Sequence, residues 1–344
     1  MTTPTPRQVF LAALRGEATP RIPVAPLAVH FCARVAGISL HRYTSDAAAL
    51  ADAVIRYHAR FRPDAVTLSA DTWVSAQAMG ATVGPLGEDQ PWGGRGEPRV
   101  RSLADVRALP PPDPERQGRY PLMLEALRRV VAAVGRDTAV VACFDQFPFS
   151  LAAALMGLNE LMLALDDDPA LVRALMERCH GFGLAYGRAL AAAGADVLTG
   201  GDSPAGLIGP RRYREFALPF EQRLIAGLRA ATGKPVSLHI CGNAEPILAD
   251  MVRSGADLLE IDYRTDLAFA CRTVGPDLAL WGNLDPVAVL AQGDSAGVRA
   301  AARRALVAAG GHRRFVLGSG CTLAVETPFA NVDALIAAGH ERAD

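Results

Sequence analysis

Residues 235–241 read PVSLHIC, a short apolar run in which every second position is polar or able to bind a metal. Successive side chains of a strand point to opposite faces, so the apolar residues of this run share one face and the others share the second. The second face consists of Ser237, His239 and Cys241. The run predicts a strand of an α/β barrel whose apolar face packs against helices while the other face points into the barrel.

Similar apolar runs recur along the chain and alternate with stretches of helical periodicity. Strands are predicted at 22–29, 64–70, 139–144, 195–200, 235–241, 257–261, 279–283 and 314–319, and helices for example at 46–60, 122–134, 211–232, 286–309 and 329–342. This alternation requires a parallel sheet, and eight repeats suit a closed (β/α)8 barrel. We therefore predict one TIM-barrel domain over residues 1–344, with an additional N-terminal helix. The rival is an open doubly wound sheet, but no glycine-rich turn follows Val29.

The stretch 75–118 breaks this rhythm, because it is rich in glycine and contains the proline run 110–112. We interpret it as an elaborated loop after the second strand that covers the active face. The alternative is a surface excursion without a function.

Composition limits the classes of partner. The 344 residues are 50% hydrophobic and carry a net charge of −1, with both signs mixed along the chain, so nucleic acid and anionic membranes are not expected partners. No leader-like N-terminus and no run of eighteen apolar residues occurs, which predicts a soluble, cytoplasmic protein. The six cysteines are expected as free thiols or metal ligands.

Polar residues follow the predicted strands at the ends that form the catalytic face of a barrel. We predict Asp202 and Asp285 as catalytic residues that orient substrate or transfer protons. The predicted substrate-binding residues are Ser203, Asn283, Glu260, Asp262 and His30. The alternatives are that loops are polar in any protein and that His30 is structural.

A metal site is predicted from His239 and Cys241, which are two positions apart on one strand, and from Cys321, which follows the last strand in the sequence Gly-Ser-Gly-Cys. The two strands are not adjacent, so Cys321 must reach inward on its loop. One imidazole and two thiolates suit zinc and leave a fourth position for substrate, which Glu260 or Asp262 would fill until substrate arrives. The alternative is a buried histidine with cysteines that serve only in packing.

Several segments resemble the uroporphyrinogen decarboxylase superfamily, and within it the zinc-dependent corrinoid methyltransferases. They are residues 7–16, 21–24, 201–210 and 282–286. The resemblance implies that His239, Cys241 and Cys321 match the zinc ligands of the methyltransferases, which the decarboxylases lack. The decarboxylases carry an Arg-Gln-Ala-Gly-Arg segment after strand one, where this chain reads HFCARVAG over residues 30–37.

The resemblance implies transfer of a methyl group between a corrinoid such as methylcobalamin and a zinc-activated thiol or another methylated small molecule, in a direction that the sequence does not fix. The cobalamin-binding pattern Asp-x-His-x-x-Gly does not occur, so we expect the corrinoid on a partner protein. One alternative is a metal-free, decarboxylase-like lyase that uses Asp202 or a neighbouring carboxylate. Another is a non-catalytic subunit that binds or chaperones a corrinoid carrier. The sequence leaves a homodimer open.

Overall fold

One parallel sheet organises the protein in a computed structural model that describes residues 3–83 and 97–340. Its seven strands follow chain order across the sheet, and each pairs in parallel with the next. The strands are β1 Ala65–Leu68, β2 Ala139–Gln146, β3 Val197–Gly201, β4 Val236–Ile240, β5 Leu258–Ile261, β6 Ala279–Leu284 and β7 Phe315–Ser319. The α/β class and the parallel order are as predicted, and seven of the eight predicted strands are present.

The predicted first strand, 22–29, is not a regular strand. Only Val24 forms a bridge, with Leu317 of β7, and prolines 23 and 26 have no backbone N–H to donate to a ladder. The segment still bonds towards both edges of the sheet, because Ala25 N donates to Leu317 O and Asp64 N donates to Val24 O, each at 2.9 Å. The sheet therefore curls so that the segment bridges its first and last strands.

Helices connect the strands. Those of the described residues are α1 Pro6–Leu14, α2 Phe31–Ala36, α3 Leu40–Ser45, α4 Ala47–Phe61, α5 Val74–Ala78, α6 Leu103–Ala108, α7 Tyr120–Val134, α8 Pro148–Met156, α9 Leu158–Asp167, α10 Pro169–Ala192, α11 Gly209–Arg212, α12 Leu218–Thr232, α13 Leu248–Val252, α14 Leu267–Val274, α15 Ser295–Ala309 and α16 Phe329–His340. Shorter 3-10 turns cover Ser203–Leu207 and Glu245–Ile247, and π-helical turns cover Tyr213–Ala217 and Pro286–Ala291.

The predicted N-terminal helix is α1. Thr5 caps it, since the Thr5 hydroxyl accepts from Gln8 N while the Gln8 side chain accepts from Thr5 N. Its buried face carries Phe10, which packs edge-to-face on Trp281 with ring centroids 5.6 Å apart. The Trp281 indole donates to Ala25 O at 2.7 Å, which ties β6 to the irregular segment 22–29.

The interior of the curled sheet has an apolar half and a polar half. A buried cluster at the beginnings of the strands joins α1 to residues that include Ala139, Val197, Leu258 and Ala279. One pleat further along β3 and β5, the interior positions are Thr199 and Glu260, which are also buried. Period-two alternation therefore places polar side chains towards the ends of the strands, where the candidate site lies.

The stretch 75–118 contains most of the short helix α5 and all of the short helix α6, and its residues 84–96 lie outside the described residues. In the described ranges no single helix is long and apolar enough to span a membrane. The pair α8 and α9 meets that test together but is bent by 108°.

Candidate metal centre

Three side chains from two separate strand ends converge on one point. The candidate donor atoms of His239, Cys241 and Cys321 all lie within 4.8 Å of one another. His239 Nε2 is 3.0 Å from Cys241 Sγ, which is 3.8 Å from Cys321 Sγ. These distances are longer than a zinc–ligand bond but suit three donors around one ion, so the predicted donor set meets in space. All three residues are partly buried.

The loop after β7 brings Cys321 inward. Gly320 N donates to Leu284 O at the end of β6. A Cβ on Gly320 would lie 2.4 Å from Tyr263 N, so only glycine permits this close approach to the loop after β5. The loop therefore crosses towards β4, although β7 and β4 are not neighbours in the sheet.

Glu260 orients the ring of His239 from its Nδ1 side. Its Nδ1 lies 3.2 Å from the backbone oxygen of Glu260 and 3.8 Å from Glu260 Oε2. Glu260 is itself held, because its Oε1 accepts hydrogen bonds from the hydroxyl groups of Thr199 and Ser237. An Nδ1–H that donates to the Glu260 carbonyl leaves the Nε2 lone pair facing the sulfur atoms, the usual arrangement of a histidine ligand.

Without a metal, the three groups perturb one another. Burial lowers the pKa of His239, but the hydrogen bond with Cys321 and the charge of Glu260 raise it to about 9. The hydrogen bond with Cys321 lowers the pKa of Cys241 to about 7. The same bond, with burial, raises the pKa of Cys321 to about 12. Because both sulfurs must lose protons to bind a metal, metal binding at this site would release protons.

The donor set fits zinc. One imidazole and two thiolates are borderline-soft ligands, and three protein ligands leave a fourth position open in a tetrahedral site. Among the described residues, no carboxylate joins the group of three. Glu260 in particular lies on the Nδ1 side of the imidazole, away from the sulfur atoms, so it supports the ligand His239 and does not face the metal position.

A cavity of about 440 Å³ opens beside the donors and is lined by Cys241, Ser203, Asp262 and Tyr263, among others. Ser203 Oγ accepts a hydrogen bond from Cys241 N at 3.2 Å, which fixes the backbone of the ligand. Asp262 is buried and its Oδ1 accepts from Arg264 N at 2.8 Å. Ser203 and Asp262, both predicted to bind substrate, therefore lie next to the donor cluster.

Asp202 has no exposed surface. Its Oδ1 accepts from Ser150 N at 2.7 Å in the first turn of α8. Glu221 is also fully buried and accepts a hydrogen bond from the Tyr213 hydroxyl, while Glu221 Oε1 and Asp202 Oδ2 have no donor among the described residues. Burial raises the pKa of Asp202 to about 6 and that of Glu221 well above its usual value, so the two carboxyl groups share a proton. Asp202 thus holds α8 and the Ser203 turn in position and does not line the cavity beside the donors, and its catalytic role stays a prediction.

The other predicted residues have local partners. Asp285 caps the turn Pro286–Ala291, with Oδ1 accepting from Val287 N and Ala288 N. The Asn283 amide donates to Asp262 O and Thr265 O, and so holds the loop after β5. His30 Nε2 lies 2.7 Å from Ala70 O. A direct role of these three in catalysis or substrate binding stays a prediction.

Asp145 is a site residue that the sequence analysis did not select. It is the last but one residue of β2, has a backbone φ of 79°, which residues other than glycine rarely adopt, and is 4% exposed. It lines a cavity of about 620 Å³ that shares Ser203 and Pro204 with the smaller cavity. Burial raises the pKa of Asp145 to about 7. The only sequence signal was its position after a strand, which several other residues share.

A buried ion pair between Arg119 and Asp71 lies close to Asp145. Arg119 donates to both carboxylate oxygens of Asp71, and its Nε donates to Gln77 Oε1 at 2.6 Å. The Asp71 carboxylate is fully buried and has no contact with either cavity in the described residues. This pair joins the end of β1 to the start of α7.

Comparisons with known proteins agree with this fold. A solved methyltransferase from Methanosarcina mazei superposes with a TM-score of 0.88 at 27% identity, and 98% of each chain is covered. The Methylcobamide:CoM methyltransferase MtbA of Methanosarcina mazei is 33% identical over 64% of this chain. This chain spans 63% of the length of that relative and of its Methanosarcina acetivorans counterpart. The uroporphyrinogen decarboxylase of Nocardia farcinica is 33% identical over 93% of this chain and 91% of its own length.

The model of the family described as uroporphyrinogen decarboxylase (URO-D) matches residues 5–342, nearly the whole chain. The chain belongs to the URO-D family.

Proposed function

We propose that this chain is a zinc-dependent methyltransferase that moves a methyl group between a corrinoid carried by a separate protein and a thiol or another methylated small molecule. The observation that carries the proposal is the convergence of His239, Cys241 and Cys321 within 4.8 Å at the ends of the strands. The methyltransferase relatives support it, because they are named for methyl transfer from a methylcobamide to CoM.

Each residue of the centre has a task in this proposal. His239, Cys241 and Cys321 would hold zinc, which when bound would favour the thiolate form of a substrate thiol. Glu260 keeps the His239 ring in the tautomer that binds through Nε2. Ser203 holds the Cys241 backbone and lines the entrance on the substrate side. Asp262 lies buried in the same wall and would orient the substrate.

The proposal also covers closure of the barrel, the cellular location and the oligomeric state. Residues 22–29 would complete a closed, eight-part barrel in one domain, since they bond towards both β7 and β1. The enzyme would act in the cytoplasm. A homodimer stays open.

A decarboxylase is the second candidate, because relatives matched over most of their length carry that name. Two observations disfavour it. Asp202, which together with a neighbouring carboxylate is the candidate residue for a metal-free lyase, is fully buried against Ser150 and Glu221. Arg34, the arginine in the segment that follows residues 22–29, donates to the carbonyl groups of Val325 and Thr327, so it is engaged away from both cavities.

The test is a metal assay on the purified protein combined with demethylation of methylcobalamin in the presence of a panel of thiols. We expect about one zinc per chain and thiol-dependent demethylation, both lost in Cys241→Ala. Cys271→Ala is the matched control, because Cys271 is a partly buried cysteine on α14 outside the donor cluster. Full zinc content and full methyl transfer in Cys241→Ala would refute the metal assignment. Decarboxylation of uroporphyrinogen by a zinc-free protein would favour the second candidate.

A further inference from the structure

The larger cavity is lined by two acceptor side chains, Asp145 and Gln146, and by the Ser150 hydroxyl, each with an oxygen that has no hydrogen-bond partner among the described residues. Asp145 Oδ2 accepts from Ser75 N at 2.7 Å, whereas Oδ1 is buried and has no hydrogen-bond partner among the described residues. Gln146 lies beside it, and its amide nitrogen donates to Thr72 O. The Gln146 Oε1 is therefore left as an acceptor, also without a partner in the described part of the chain. Two unpaired acceptor oxygens call for a ligand that supplies donors.

The ionisable side chains that line the larger cavity also favour a positively charged ligand. Among the described residues that line it, the ionisable ones are three carboxylates and one guanidinium, namely Glu97, Asp145, Glu160 and Arg99. Asp145 is the most buried of the carboxylates. A cation that donates hydrogen bonds satisfies both the charge and the unpaired acceptors, and charge-assisted hydrogen bonds of this type are the strong ones.

The walls of the cavity set the shape of the ligand. Trp73, Ala153, Ala154 and Leu158 give an apolar side, which suits a short alkyl chain. The cavity shares Ser203 and Pro204 with the smaller cavity that contains Cys241. A ligand that lies along both cavities would therefore place one end on Asp145 and the other near the donor cluster.

We propose that the larger cavity is the substrate subsite and that Asp145 and Gln146 bind an ammonium group of the substrate. This inference rests on the proposed function and narrows its substrate to an amine-bearing thiol or methylated compound, as opposed to one that bears a sulfonate. Burial and the nearby charge of Asp71 raise the pKa of Asp145 to about 7, so a bound cation would stabilise a carboxylate that is otherwise only marginally ionised at neutral pH.

The test uses two matched series of probes, ω-aminothiols and ω-mercaptoalkanesulfonates with two to five methylene groups, titrated calorimetrically into the zinc-loaded protein at pH 8. We expect the best aminothiol to bind about tenfold or more tightly than the sulfonate of equal length. Asp145→Asn should remove that preference while the sulfonate affinity stays within about twofold. Asparagine keeps the acceptor for Ser75 N and tolerates positive φ, so the fold is preserved.

Two controls separate this inference from the proposed function. Glu125→Gln, a solvent-exposed carboxylate on α7 that lines neither cavity, should leave the preference unchanged. The second control compares butylamine and butyrate, which have no thiol, by saturation-transfer NMR. We expect only butylamine to contact the wild-type protein. This contact should be lost in Asp145→Asn. If butylamine binds through Asp145 but the protein has neither zinc nor methyl-transfer activity, the proposed function is wrong while the ammonium subsite is supported. Failure of every amine to bind, equal binding of sulfonates, or an amine preference that survives Asp145→Asn overturns the inference.

Discussion

His239 Nδ1 lies 3.2 Å from the backbone carbonyl oxygen of Glu260, on the side of the ring opposite to the sulfur atoms. The carbonyl accepts the Nδ1 proton, so the Nε2 lone pair is directed at the metal position. The Glu260 carboxylate adds a negative charge 3.8 Å from Nδ1 and makes the imidazole a better donor. One residue therefore sets both the tautomer and the basicity of the ligand.

Replacing Glu260 by glutamine should weaken zinc binding by about 10- to 100-fold, because the shape is kept but the charge behind His239 is removed. Competition with a chromophoric chelator measures the affinity. Glu125→Gln, an exposed carboxylate on α7 that pairs with Arg129, should leave it unchanged. Equal zinc affinity in Glu260→Gln and the control would show that Glu260 only fills space.

The protonated carboxyl pair should make stability depend on pH. An unfolded glutamate has a pKa near 4.5, whereas burial raises the pKa of Glu221 in the folded chain well above that. Between these values the folded state binds the extra proton, so the pair's contribution is fully present at low pH and is lost as pH rises towards the folded pKa. In Glu221→Gln the side-chain amide nitrogen can donate a hydrogen bond to Asp202, so this variant does not have to bind a proton. Its free energy of unfolding should therefore fall less between pH 6 and 8.5 than that of the wild type, by up to about 1.4 kcal/mol per pH unit.

Urea unfolding at a series of pH values measures this difference, with Glu125→Gln as the exposed control. Parallel pH profiles for the wild type and Glu221→Gln would contradict the shared proton.

Arg119→Leu should destabilise the protein by about 3–5 kcal/mol, because it leaves the Asp71 carboxylate charged and fully buried. Arg129→Leu, from an exposed pair, should cost less than about 1 kcal/mol. Adding Asp71→Asn to Arg119→Leu should recover part of the loss. Denaturant unfolding of the wild type, the single variants Arg119→Leu, Asp71→Asn and Arg129→Leu, and the double variant tests this, and additive effects of Arg119→Leu and Asp71→Asn would show that the two residues do not interact.

The sequence predicted the α/β class and seven strands because short apolar runs between helical stretches report burial on both faces. It missed the irregularity of residues 22–29, since that run has the right hydrophobicity and only its two prolines prevent a ladder. The positions of Cys241 and His239 followed from period-two alternation. The approach of Cys321 depends on how closely Gly320 packs on Tyr263, which no spacing rule contains.

The carboxylates at the strand ends show more clearly what the sequence could not predict. Asp202 and Asp145 both follow a predicted strand and look alike in sequence. In the structure Glu221 on α12 covers Asp202, whereas Asp145 has a positive φ and lines a cavity. These differences arise from tertiary neighbours and backbone conformation. Polarity at strand ends therefore locates the catalytic face but does not rank its residues.

X-ray absorption at the zinc edge of the purified protein tests the central claim most directly, because it counts the ligand atoms. We expect two sulfur atoms at about 2.3 Å and nitrogen or oxygen atoms at about 2.0–2.1 Å, with one sulfur lost in Cys321→Ser. A zinc shell of nitrogen and oxygen alone, or a spectrum that Cys321→Ser leaves unchanged, would contradict a centre built from His239, Cys241 and Cys321.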